Sequence, residues 1–541
     1  MTAAAADHTP HATDDPPIDP FVFERRWQIL AVLCTSLMIV IIGNTALNVA
    51  IPRLALDLEA STTDLQWMVD AYSLVFAGML FTAGSIGDRF GRKGTLQAGL
   101  GLFLVGTLIA SFGDSASTVI GARAVMGLAA AFVMPSTLSI LTNVFPAHER
   151  PKAIAVWAGI SGGGAAIGPV ASGFLLEHFW WGAVFLVNVP VIVASLILGK
   201  LLLPTSRDPA QPPLDIPGAL LSIVGLSALV YGIIEGPIHG WMSAQTLGTF
   251  GLSILVLGLF ALRELTAQHP MLDLRLFRDR RFSVASGGMT MIFFAMFGTF
   301  FLVSQYFQLV LGYSALESGL FQLPMAFVMM GVSPQVPKLV ARFGVHRIVP
   351  TGLGAVAAGL TMFSFMGVDT SIWLMYGPIL CLATGMALTM TPLTTLIMSA
   401  VPLGKAGVGS AMNDTTRELG GALGVAILGS LVTSAYTGHL GSAIAGLSDS
   451  DQATAQSGLV GAFNVAGRLG TDGAELVAAA KQAFVDGIGV AALTGAVVVA
   501  LAAIASRRLL PRGTGPGAGP SLSFAADDGA DAGDTRAAYL A

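Results

Sequence analysis

Charged side chains are scarce in this sequence, and their scarcity excludes an ordinary soluble fold. Asp, Glu, Lys and Arg make up 11% of the 541 residues, whereas apolar residues make up 54% and the mean hydropathy is +0.74. A typical soluble domain carries about 25% charged residues. The composition is therefore that of an integral membrane protein.

Cysteine, histidine and nucleotide-binding motifs are also lacking. The two cysteines, Cys34 and Cys381, each lie in an apolar run, so we expect both to pack rather than to form a disulfide or bind a metal. The eight histidines show no metal-ligand spacing, and neither a metal nor a cofactor is predicted. No G-x-x-x-x-G-K-[ST] loop is present, so ATP is not the energy source. A net charge of −5 without a basic arm predicts no nucleic-acid partner.

Long apolar runs are abundant. A helix needs about 20 mostly apolar residues to cross a bilayer, and fourteen such runs are present. No apolar core with a small-residue cleavage site precedes Arg25, so we expect the first run to be retained rather than cleaved as a signal peptide. The approximate bounds of the runs are 29–51, 65–87, 94–113, 117–142, 152–176, 182–203, 214–236, 244–264, 283–311, 317–337, 347–367, 373–400, 406–434 and 485–505.

The positive charges are distributed unevenly about these predicted spans. If the N-terminus is cytoplasmic, 22 of the 27 Lys and Arg residues fall on the inner side. This bias follows the positive-inside rule. An even number of spans then places both termini in the cytoplasm. The predicted location is the inner (cytoplasmic) membrane of the cell. The exceptions are Arg53, Arg468 and Lys481 outside, and Arg123 and Arg417 within spans.

Three internal echoes divide the chain into related halves. "DRFGRK" at 88–93 returns in part as "ARFGVHR" at 341–347, with Ala341 in the place of Asp88. "GLAAAFVMPSTLSIL" resembles "GMALTMTPLTTLIM", and "GAAIGPVASG" resembles "GGALGVAILG". All three offsets lie between 253 and 258 residues. Two related six-span halves with two inserted spans are typical of a transporter that rocks two bundles about a midplane site.

The predicted fold class is an all-α polytopic membrane protein with two pseudo-symmetric six-helix bundles, two inserted helices and fourteen spans. We expect the terminal residues 1–20 and 510–541, rich in Ala, Pro, Gly and Asp, to be disordered. The predicted segments are a cytoplasmic tail at 1–26, the N-terminal bundle at 27–203, the inserted helices with their linkers at 204–282, the C-terminal bundle at 283–508 with an extracellular loop at 438–484, and a disordered cytoplasmic tail at 509–541.

Six motifs carry a family resemblance. "GSIGDRFGRKGTL" fits the signature G-x-L-a-D-r-x-G-r-k-x-x-l, "VIGARAVMGLAAA" fits a fourth-span pattern except at Met126, and "GAAIGPVASGFL" fits a fifth-span antiporter pattern except at Ser172. "WWGAVFLVNVP", "HPMLDLRLFRDRRF" and "GSAMNDTTRELGGALG" look like further features of one branch. Over residues 27–508 the chain resembles the major facilitator superfamily, and within it the fourteen-span drug:proton antiporters of the EmrB/QacA type. The resemblance implies the major facilitator fold and proton-driven export.

The first span departs from that family's pattern. "IVIIGNTALNVAIP" aligns with a stretch that usually reads D-x-T-x-x-N-V-A-x-P, and Gly43 occupies the acidic position. Whatever the carboxylate does in relatives must be done elsewhere in this chain or not at all. Asn44 can form hydrogen bonds with a substrate but cannot carry a proton.

The charged turn at 88–93 is a candidate gate. Gly91 permits a tight turn, and Asp88 can face the positive N-terminal end of another helix, which by the resemblance is span 13. We expect Arg89, Arg92 and Lys93 to pair with cytoplasmic carboxylates and lipid phosphates when that face is shut. Simple anchoring of the topology is the alternative.

Small residues in the fifth predicted span form a second candidate gate. Gly164, Gly168, Pro169 and Gly173 lie at spacings of four and five, which places a small-residue stripe on one helix face. Pro169 removes a backbone hydrogen bond and is expected to bend the span. A pure packing stripe is the alternative.

Ionisable side chains within spans are the candidates for proton coupling, since each costs about 2.5–3.5 kcal/mol at a helix centre. Asp70 and Arg123 share a similar depth and are able to form an ion pair. Asp70 is the first choice as proton or cation site, with a structural pairing to Arg123 as the alternative. Asp414 and Glu418 share a face of span 13 and are the second choice. A local pair between Asp414 and Arg417 is the alternative there.

Glu235 and Asp486 lie at outer span ends, where we expect a structural or surface role. Aromatic, methionine and amide side chains are candidates to line an adaptable pocket, although ordinary packing is the alternative. These candidates are Asn44, Trp67, Tyr72, Met296, Tyr306, Met386 and Met390.

The predicted function is proton-coupled export of lipophilic, often cationic, small molecules, with protons and membrane lipids as further partners. Export of one native metabolite or self-made antibiotic is the alternative. A membrane enzyme or a scaffold that does not transport is more remote, because no nucleophile and base are arranged together.

Overall fold

Helices form nearly all of the described part of this protein. The structure is a computed structural model that describes residues 18–60, 62–210, 213–268, 270–470 and 473–510, and no strand occurs in these ranges. The predicted all-α class is therefore confirmed for the described residues. Most of the two predicted tails, 1–20 and 510–541, lies outside them.

Fourteen helical segments follow the predicted apolar runs and are numbered span 1 to span 14. Thirteen of them are long and apolar enough to cross a membrane. The fourteenth, span 11, has 19 residues and carries His346 and Arg347 in its first turn, which lowers its hydropathy. The spans are Pro20–Asp57, Thr62–Phe90, Arg92–Ser111, Ala116–Val144, Arg150–His178, Ala183–Leu202, Ile216–His239, Ala244–Thr266, Arg280–Val310, Leu316–Phe343, Val345–Phe363, Ile372–Ser399, Ala406–Ile444 and Gly473–Leu509.

Polar residues at the span ends start the helices. Asp19, Ser115, Asp215, Ser243 and Asp279 each accept a hydrogen bond from a backbone N–H of the first turn that follows. Such caps satisfy N–H groups that have no partner within the helix.

Two glycines join spans where the chain turns sharply. Gly91, with φ of 116°, joins spans 2 and 3, and Gly344, with φ of 80°, joins spans 10 and 11. Other residues rarely adopt these values. The two related turns therefore both use a glycine with positive φ at the point where the spans join.

Spans 9 and 10 are irregular at facing positions. Span 9 ends in a π-helical turn, Tyr306–Val310. Span 10 is divided into Ala315–Leu320, Leu323–Val332, Ser333–Gln335 and Val336–Phe343. A proline stands in the first turn of each of the last three pieces, where its missing N–H is tolerated.

The spans assemble as two bundles with pseudo-symmetric contacts. Spans 1–6 pack with one another, as do spans 9–14, while spans 7 and 8 pair and span 7 lies against spans 2 and 13. Between the bundles, span 2 packs on span 13 and span 5 packs on span 10. The repeat equates span 2 with span 10 and span 5 with span 13, so the two contacts are equivalent.

The polar segment between spans 13 and 14 is largely helical. Helices Asp449–Gln456 and Leu459–Leu469 pack on the end of the second bundle. Tyr436 Oη donates to the Ala455 carbonyl at 3.0 Å. Span 14 begins at Gly473, twelve residues before its apolar run.

Candidate functional site

The turn between spans 2 and 3 is joined to span 13 through Asp88. Its carboxylate, 5% exposed, accepts hydrogen bonds from the backbone N–H groups of Gly407 at 2.9 Å and Val408 at 3.2 Å. These groups lie in the first turn of span 13, where N–H groups lack helical partners and the helix dipole favours an anion. The structure thus places Asp88 where the resemblance suggested, as a cap supplied by the other bundle.

Arg92 extends this contact. Its Nε donates to Asp88 Oδ1 at 2.8 Å, and its Nη2 donates to the carbonyls of Leu403 and Gly404 at 2.8 and 2.7 Å. The residue is 1% exposed. One acid and one base of the first bundle therefore hold both the N–H and the C=O groups at the start of span 13. We call these contacts the latch.

Close backbone approach accompanies the latch. A Cβ atom added to Gly84 would lie 2.6 Å from the Gly407 carbonyl oxygen, and one added to Gly407 would lie 2.5 Å from that of Gly84. Only glycine at both positions lets spans 2 and 13 meet in this way. Lys93 stands apart from the latch and donates to the Lys200 carbonyl at 2.9 Å. Arg89 lies with its guanidinium 5.3 Å from the Phe90 ring centre.

The linker to the inserted helices is tied to the same turn. The backbone N–H of Asp208 donates to the Asp88 carbonyl at 2.6 Å, and that of Arg92 donates to the Ser206 carbonyl at 2.9 Å. Lys405, just before span 13, donates to the Pro270 carbonyl at 3.2 Å. The linker before spans 7 and 8 is thus bonded to the turn between spans 2 and 3, and the linker after them is bonded to the residue that precedes span 13.

The small residues predicted as a stripe on span 5 face two neighbours, not one. A Cβ at Gly168 would overlap the Thr45 hydroxyl of span 1, and one at Gly164 would touch Ile41 at 3.5 Å. The helix continues unbroken through Pro169. This part of the stripe packs within the first bundle.

Other glycines of span 5 face the second bundle. A Cβ at Gly173 would lie 3.0 Å from Leu316 Cα of span 10, and one at Gly162 would lie 2.5 Å from Met329 Cε. Gly162 was not among the predicted residues, although it is part of the conspicuous run "GGG" at 162–164. Glycines therefore line the span 5 contact with span 10 over several turns.

Arg123 of span 4 is fully buried and bonded to neutral groups. It donates to the carbonyls of Met68 and Gly43 at 2.9 and 3.1 Å and to Asn44 Oδ1 at 3.2 Å. Its guanidinium carbon lies 4.3 Å from the Tyr72 ring centre, within cation–π range. All four partners belong to spans 1 and 2, and Gly43 holds the position at which the family usually has its acid.

The predicted ion pair between Asp70 and Arg123 is wrong for the described part of the chain. Arg123 binds the carbonyl of Met68, and the ring beneath it belongs to Tyr72, four residues further along the same face. Asp70 lies halfway between them and points to another side of the helix. Asp70 and Arg123 lie at a similar depth in their spans, but their side chains do not face each other.

Asp70 faces span 7 instead. Glu235 is near enough to interact with it electrostatically. One turn away on each helix, the rings of Trp67 and Tyr231 lie 6.2 Å apart. Glu235 Oε2 lies 2.8 Å from His239 Nδ1. Spans 2 and 7 thus each carry one carboxylate and one aromatic ring on the sides that face each other.

Arg417 of span 13 lies on the boundary between the bundles. Its Nη1 is 3.6 Å from Asp414 Oδ1, which is the local pair considered from the sequence. Its Nη2 donates to Ser161 Oγ of span 5 at 2.7 Å. The guanidinium carbon is 5.4 Å from the Trp157 ring centre and 4.7 Å from that of Phe293. Charge, hydroxyl and two rings therefore connect the bundles at one point.

The two acids of span 13 have different surroundings. Asp414 is buried and accepts from Asn413 Nδ2 at 3.3 Å, and its Oδ2 has no hydrogen-bond partner among the described residues. Glu418 is half-buried and accepts a hydrogen bond from Ser73 of span 2. Sequence reasoning missed Ser73, because a serine in a span carries no charge to draw attention.

The predicted pocket residues do not form one pocket. Met296 and Met386 line a small apolar cavity of about 30 Å³ within the second bundle. Met390 is buried in the core, and Tyr306 is buried with its hydroxyl donating to the Gly367 carbonyl at 2.7 Å. In the first bundle, the predicted residues Asn44 and Tyr72 hold Arg123. No group of three or more His, Cys, Asp or Glu able to hold a metal occurs in the described ranges.

Comparison with known proteins agrees with this architecture. The profile of the Major Facilitator Superfamily matches residues 33–425. The chain is 37% identical over 481 residues to "Multidrug efflux pump LfrA" of Mycolicibacterium smegmatis, across 88% of this chain and 95% of that protein. It is 35% identical over 473 residues to "Methyl viologen resistance protein SmvA" of Salmonella typhimurium, across 85% and 93%.

A solved structure shares the fold. It is a bacterial homolog of the human lysosomal transporter Spinster in an inward-facing, unoccupied conformation. It matches with a TM-score of 0.58 at 17% identity, across 91% of this chain and 98% of that one. The profile match, the similar relatives and the paired bundles lead to one conclusion: the chain belongs to the major facilitator superfamily of membrane transporters.

Proposed function

We propose that this protein exports lipophilic, often cationic, small molecules across the cytoplasmic membrane in exchange for protons, by alternating access. Relatives named for multidrug efflux and methyl viologen resistance support export of drug-like cations. The observation that carries the proposal is the position of Asp70. It is a half-buried carboxylate with no cationic partner within the described ranges, it interacts electrostatically with Glu235, and it lies one helical turn from Trp67.

Such a site binds a proton or an organic cation, but not both. Two nearby carboxylates repel each other when both are ionised, and either ligand relieves that repulsion. Aromatic rings such as those of Trp67 and Tyr231 attract an organic cation through their faces. Competition of proton and cation for Asp70 couples their opposite movements. Glu235 then belongs to the site, beyond the structural role expected from its place at a span end.

The cluster around Arg417 is the second coupling element. Its contacts with Asp414 in one bundle and Ser161 in the other must change when the bundles move relative to each other. Protonation of Asp414 or Glu418 weakens the local attraction for Arg417 and favours that movement. The latch keeps the predicted cytoplasmic face shut until then.

Transport into inverted vesicles with an acidic interior tests this function. We expect the parent protein to accumulate methyl viologen against its gradient and to stop when an uncoupler removes the pH difference. Asp70→Asn is expected to abolish uphill accumulation while retaining some downhill exchange. Asp486→Asn, which changes another half-buried acid, in span 14, is the control with parental uptake.

Two results would contradict parts of this proposal. Failure of the parent to respond to the pH difference contradicts proton-coupled export. Full pH-driven uptake by Asp70→Asn removes Asp70 from the coupling role and leaves Asp414 as the acid to examine.

The proposed orientation places both termini in the cytoplasm and the helices between spans 13 and 14 outside. In a variant without Cys34 and Cys381, we expect Ser450→Cys to react with an impermeant thiol reagent on intact cells. Ser399 is also exposed and is the last residue of span 12, on the predicted cytoplasmic side. Ser399→Cys is therefore expected to react only after lysis. Reaction of Ser399→Cys alone on intact cells reverses the assignment.

A further inference from the structure

The segment that joins spans 8 and 9 carries a cluster of arginines that takes no part in the proposed function. Arg275, Arg278, Arg280 and Arg281 fall within seven residues, and span 9 begins among them. The first three are exposed, and Arg281 is half-buried. We call these four residues the arginine patch. Because consecutive spans alternate in direction, the patch lies at the same end of the bundles as the latch.

The guanidinium groups of the patch have no partner within the ranges that the structure describes. None of the four side chains forms an ion pair or a hydrogen bond there. The two acids of the segment serve the backbone instead. Asp273 Oδ1 accepts from the Arg275 N–H at 2.9 Å, and Asp279 Oδ1 accepts from the Arg281 N–H at 2.8 Å. Four arginines and two aspartates leave the segment with a net charge of +2.

Other arginines at this end of the bundles already have carboxylate partners. The N–O distances are 2.7 Å for Arg26 and Glu149, 2.7 Å for Arg92 and Asp88, and 3.2 Å for Arg263 and Asp215. The sequence suggested lipid phosphates as partners of the turn that contains Arg92, but the structure gives that side chain protein acceptors. The patch, by contrast, offers its donors to an external anion.

The backbone that carries the patch is held by local contacts. The 3-10 helix Leu274–Arg278 lies against span 8 and span 9. Ser283 Oγ of span 9 donates to the Phe277 carbonyl at 2.6 Å. The Phe277 ring packs edge-on against the Phe282 ring, with centres 5.1 Å apart. A ligand therefore meets donors whose backbone is ordered in advance, which reduces the entropy lost on binding.

Apolar surface adjoins the patch at the end of span 8. Leu259, Leu262 and Leu265 are all exposed in the last turns of this helix. In a membrane such side chains are covered by lipid chains. The Phe277 ring is also exposed, and aromatic rings favour the headgroup level of a bilayer. Charge for a headgroup and apolar surface for its chains thus lie next to each other.

A phosphodiester is the anion that fits these donors. The planar guanidinium group binds two phosphate oxygens at once. Basic clusters beside membrane spans attract anionic lipids in the same way. A zwitterionic lipid carries the same phosphate together with an ammonium group, which the patch repels. A soluble phosphate lacks chains to cover the leucines.

We propose that the arginine patch binds the headgroup of an anionic phospholipid of the leaflet beside it, with the lipid chains against the exposed leucines at the end of span 8. Phosphatidylglycerol has the required chemistry: one phosphodiester, a net negative charge and two acyl chains. This binding requires neither transport nor a particular orientation of the protein in the membrane.

Quenching of a fluorophore beside the patch measures this binding. In a variant without Cys34 and Cys381, the exposed position Thr266 is changed, as Thr266→Cys, and labelled with bimane. The protein is placed in nanodiscs of phosphatidylcholine. A small fraction of the lipid carries a quenching nitroxide near its headgroup, either as phosphatidylglycerol or as phosphatidylcholine with the same chains. We expect the phosphatidylglycerol probe to associate with the parent about tenfold more strongly.

The triple variant Arg275→Gln/Arg278→Gln/Arg280→Gln is expected to lose this preference, so that both probes quench equally. Arg278→Gln alone is expected to weaken association of the phosphatidylglycerol probe two- to fivefold, and it serves if the triple variant does not fold. Equal association of the two probes with the parent overturns the proposal. A preference that the patch variants retain in full overturns it as well.

A matched variant controls for the general charge of the protein. Lys338→Gln/Arg342→Gln/Arg347→Gln removes three exposed cations at the same end of the bundles, around the turn between spans 10 and 11. It changes the net charge by the same amount as the triple patch variant. We expect it to keep the tenfold preference. Equal losses in the two triple variants would show attraction by overall charge and contradict a site at the patch.

Inorganic phosphate distinguishes a lipid from a soluble anion. An excess of phosphate, compared with chloride at the same ionic strength, is expected to leave the quenching unchanged, because free phosphate lacks the chains that hold the lipid. Relief of quenching by phosphate but not by chloride would assign the patch to a soluble phosphate and overturn the lipid.

Discussion

Three arginines are buried in the described part of this transporter, Arg92, Arg123 and Arg417. The two that lie away from the span ends belong to different bundles, and their partners differ in kind. Arg123 is held by two backbone carbonyls and the Asn44 side chain, all from its own bundle. Arg417 is held by the Asp414 carboxylate of its own helix and by Ser161 of the other bundle. The first arginine joins three spans of one bundle, and the second joins spans of two different bundles.

This difference distinguishes a buried charge that stabilises one bundle from a buried charge whose contacts depend on how the two bundles are arranged. Rigid-body movement of the bundles leaves every contact of Arg123 intact, whereas it must break the bond from Arg417 to Ser161. Arg92 resembles Arg417 in this respect, because it pairs with Asp88 and also reaches the carbonyls of the opposite bundle. Buried arginines that face an acid are thus the ones that bridge the bundles.

Asp414→Asn should have the most severe consequence. It removes the paired carboxylate of the buried Arg417 guanidinium and leaves Glu418 as the remaining nearby acid. Breaking a buried ion pair destabilises a protein by about 3–5 kcal/mol. We expect a clear fall in the melting temperature of the purified protein and loss of pH-driven uptake. The double variant Asp414→Asn/Arg417→Gln should recover most of the lost stability. A single variant that melts with the parent would show that Arg417 does not depend on Asp414.

Asp88→Asn should shift the conformational equilibrium more than the stability. The amide keeps one acceptor oxygen but loses the charge, and hydrogen bonds to charged groups contribute about 1.5–3 kcal/mol each. A loss of about 2 kcal/mol corresponds to roughly a 30-fold shift toward opening of the latched face.

Alkylation of a cysteine introduced at Ala411, which is buried beside Gly84, measures that opening. We expect faster alkylation in Asp88→Asn than in the parent, in a background without native cysteines. Asp279→Asn, which alters a helix cap within the second bundle, should leave the rate unchanged. Equal rates in Asp88→Asn and the parent are incompatible with a latch.

Arg123→Gln should reduce stability without changing conformation. It removes three hydrogen bonds inside one bundle and leaves no buried charge unpaired, so we expect a loss of about 1–3 kcal/mol, seen as a lower melting temperature. Alkylation at position 411 should stay at the parental rate. An increase comparable to that in Asp88→Asn would mean that Arg123 also takes part in the movement.

Arg26→Gln should have a small effect that depends on pH. Arg26 Nε lies 2.7 Å from Glu149 Oε2, and this hydrogen bond lowers the pKa of Glu149. A lowered carboxylate pKa adds stability above the unfolded value of about 4.3, and that stability is lost as the pH falls through the folded value.

The parent should therefore melt slightly above Arg26→Gln at pH 7, by an amount typical of partly exposed pairs, up to about 1 kcal/mol. The two proteins should converge below about pH 4. Arg25→Gln, at an exposed neighbouring position, is the matched control and should melt with the parent throughout. A difference that persists at low pH would assign the effect to something other than the Glu149 charge.

The fold was predictable because the membrane imposes a length on each apolar run. Span 8, expected at 244–264, is Ala244–Thr266. Span 14, expected from 485, begins at Gly473 because its first turns carry Glu475 and Lys481 among small residues and contain no continuous apolar run. The packing of helices 449–456 and 459–469 on the second bundle depends on tertiary contacts that hydropathy does not encode.

The site was predictable where one residue type implies its partner. A carboxylate suits a helix start, and the family resemblance pointed to span 13 as the partner of Asp88. The partners of Arg123 were not predictable, because the carbonyls of Met68 and Gly43 belong to the main chain and carry no sequence signal. Ser161 was not predictable either, since its role depends on how the two bundles sit together. Proton coupling and the orientation in the membrane stay predictions.

The latch also has a consequence for how the protein is made. Asp88 accepts from residues 319 and 320 positions further along the chain. At about 5–20 residues per second, a ribosome needs roughly 16–64 s to synthesise that interval. The first bundle, which ends at Leu202, is complete before that interval has passed. Asp88 then has no partner in span 13 until Gly407 and Val408 have been synthesised. A gene divided between the two bundles and expressed as two chains should therefore yield fragments that recognise each other, because the first one emerges with half of a binding site already formed.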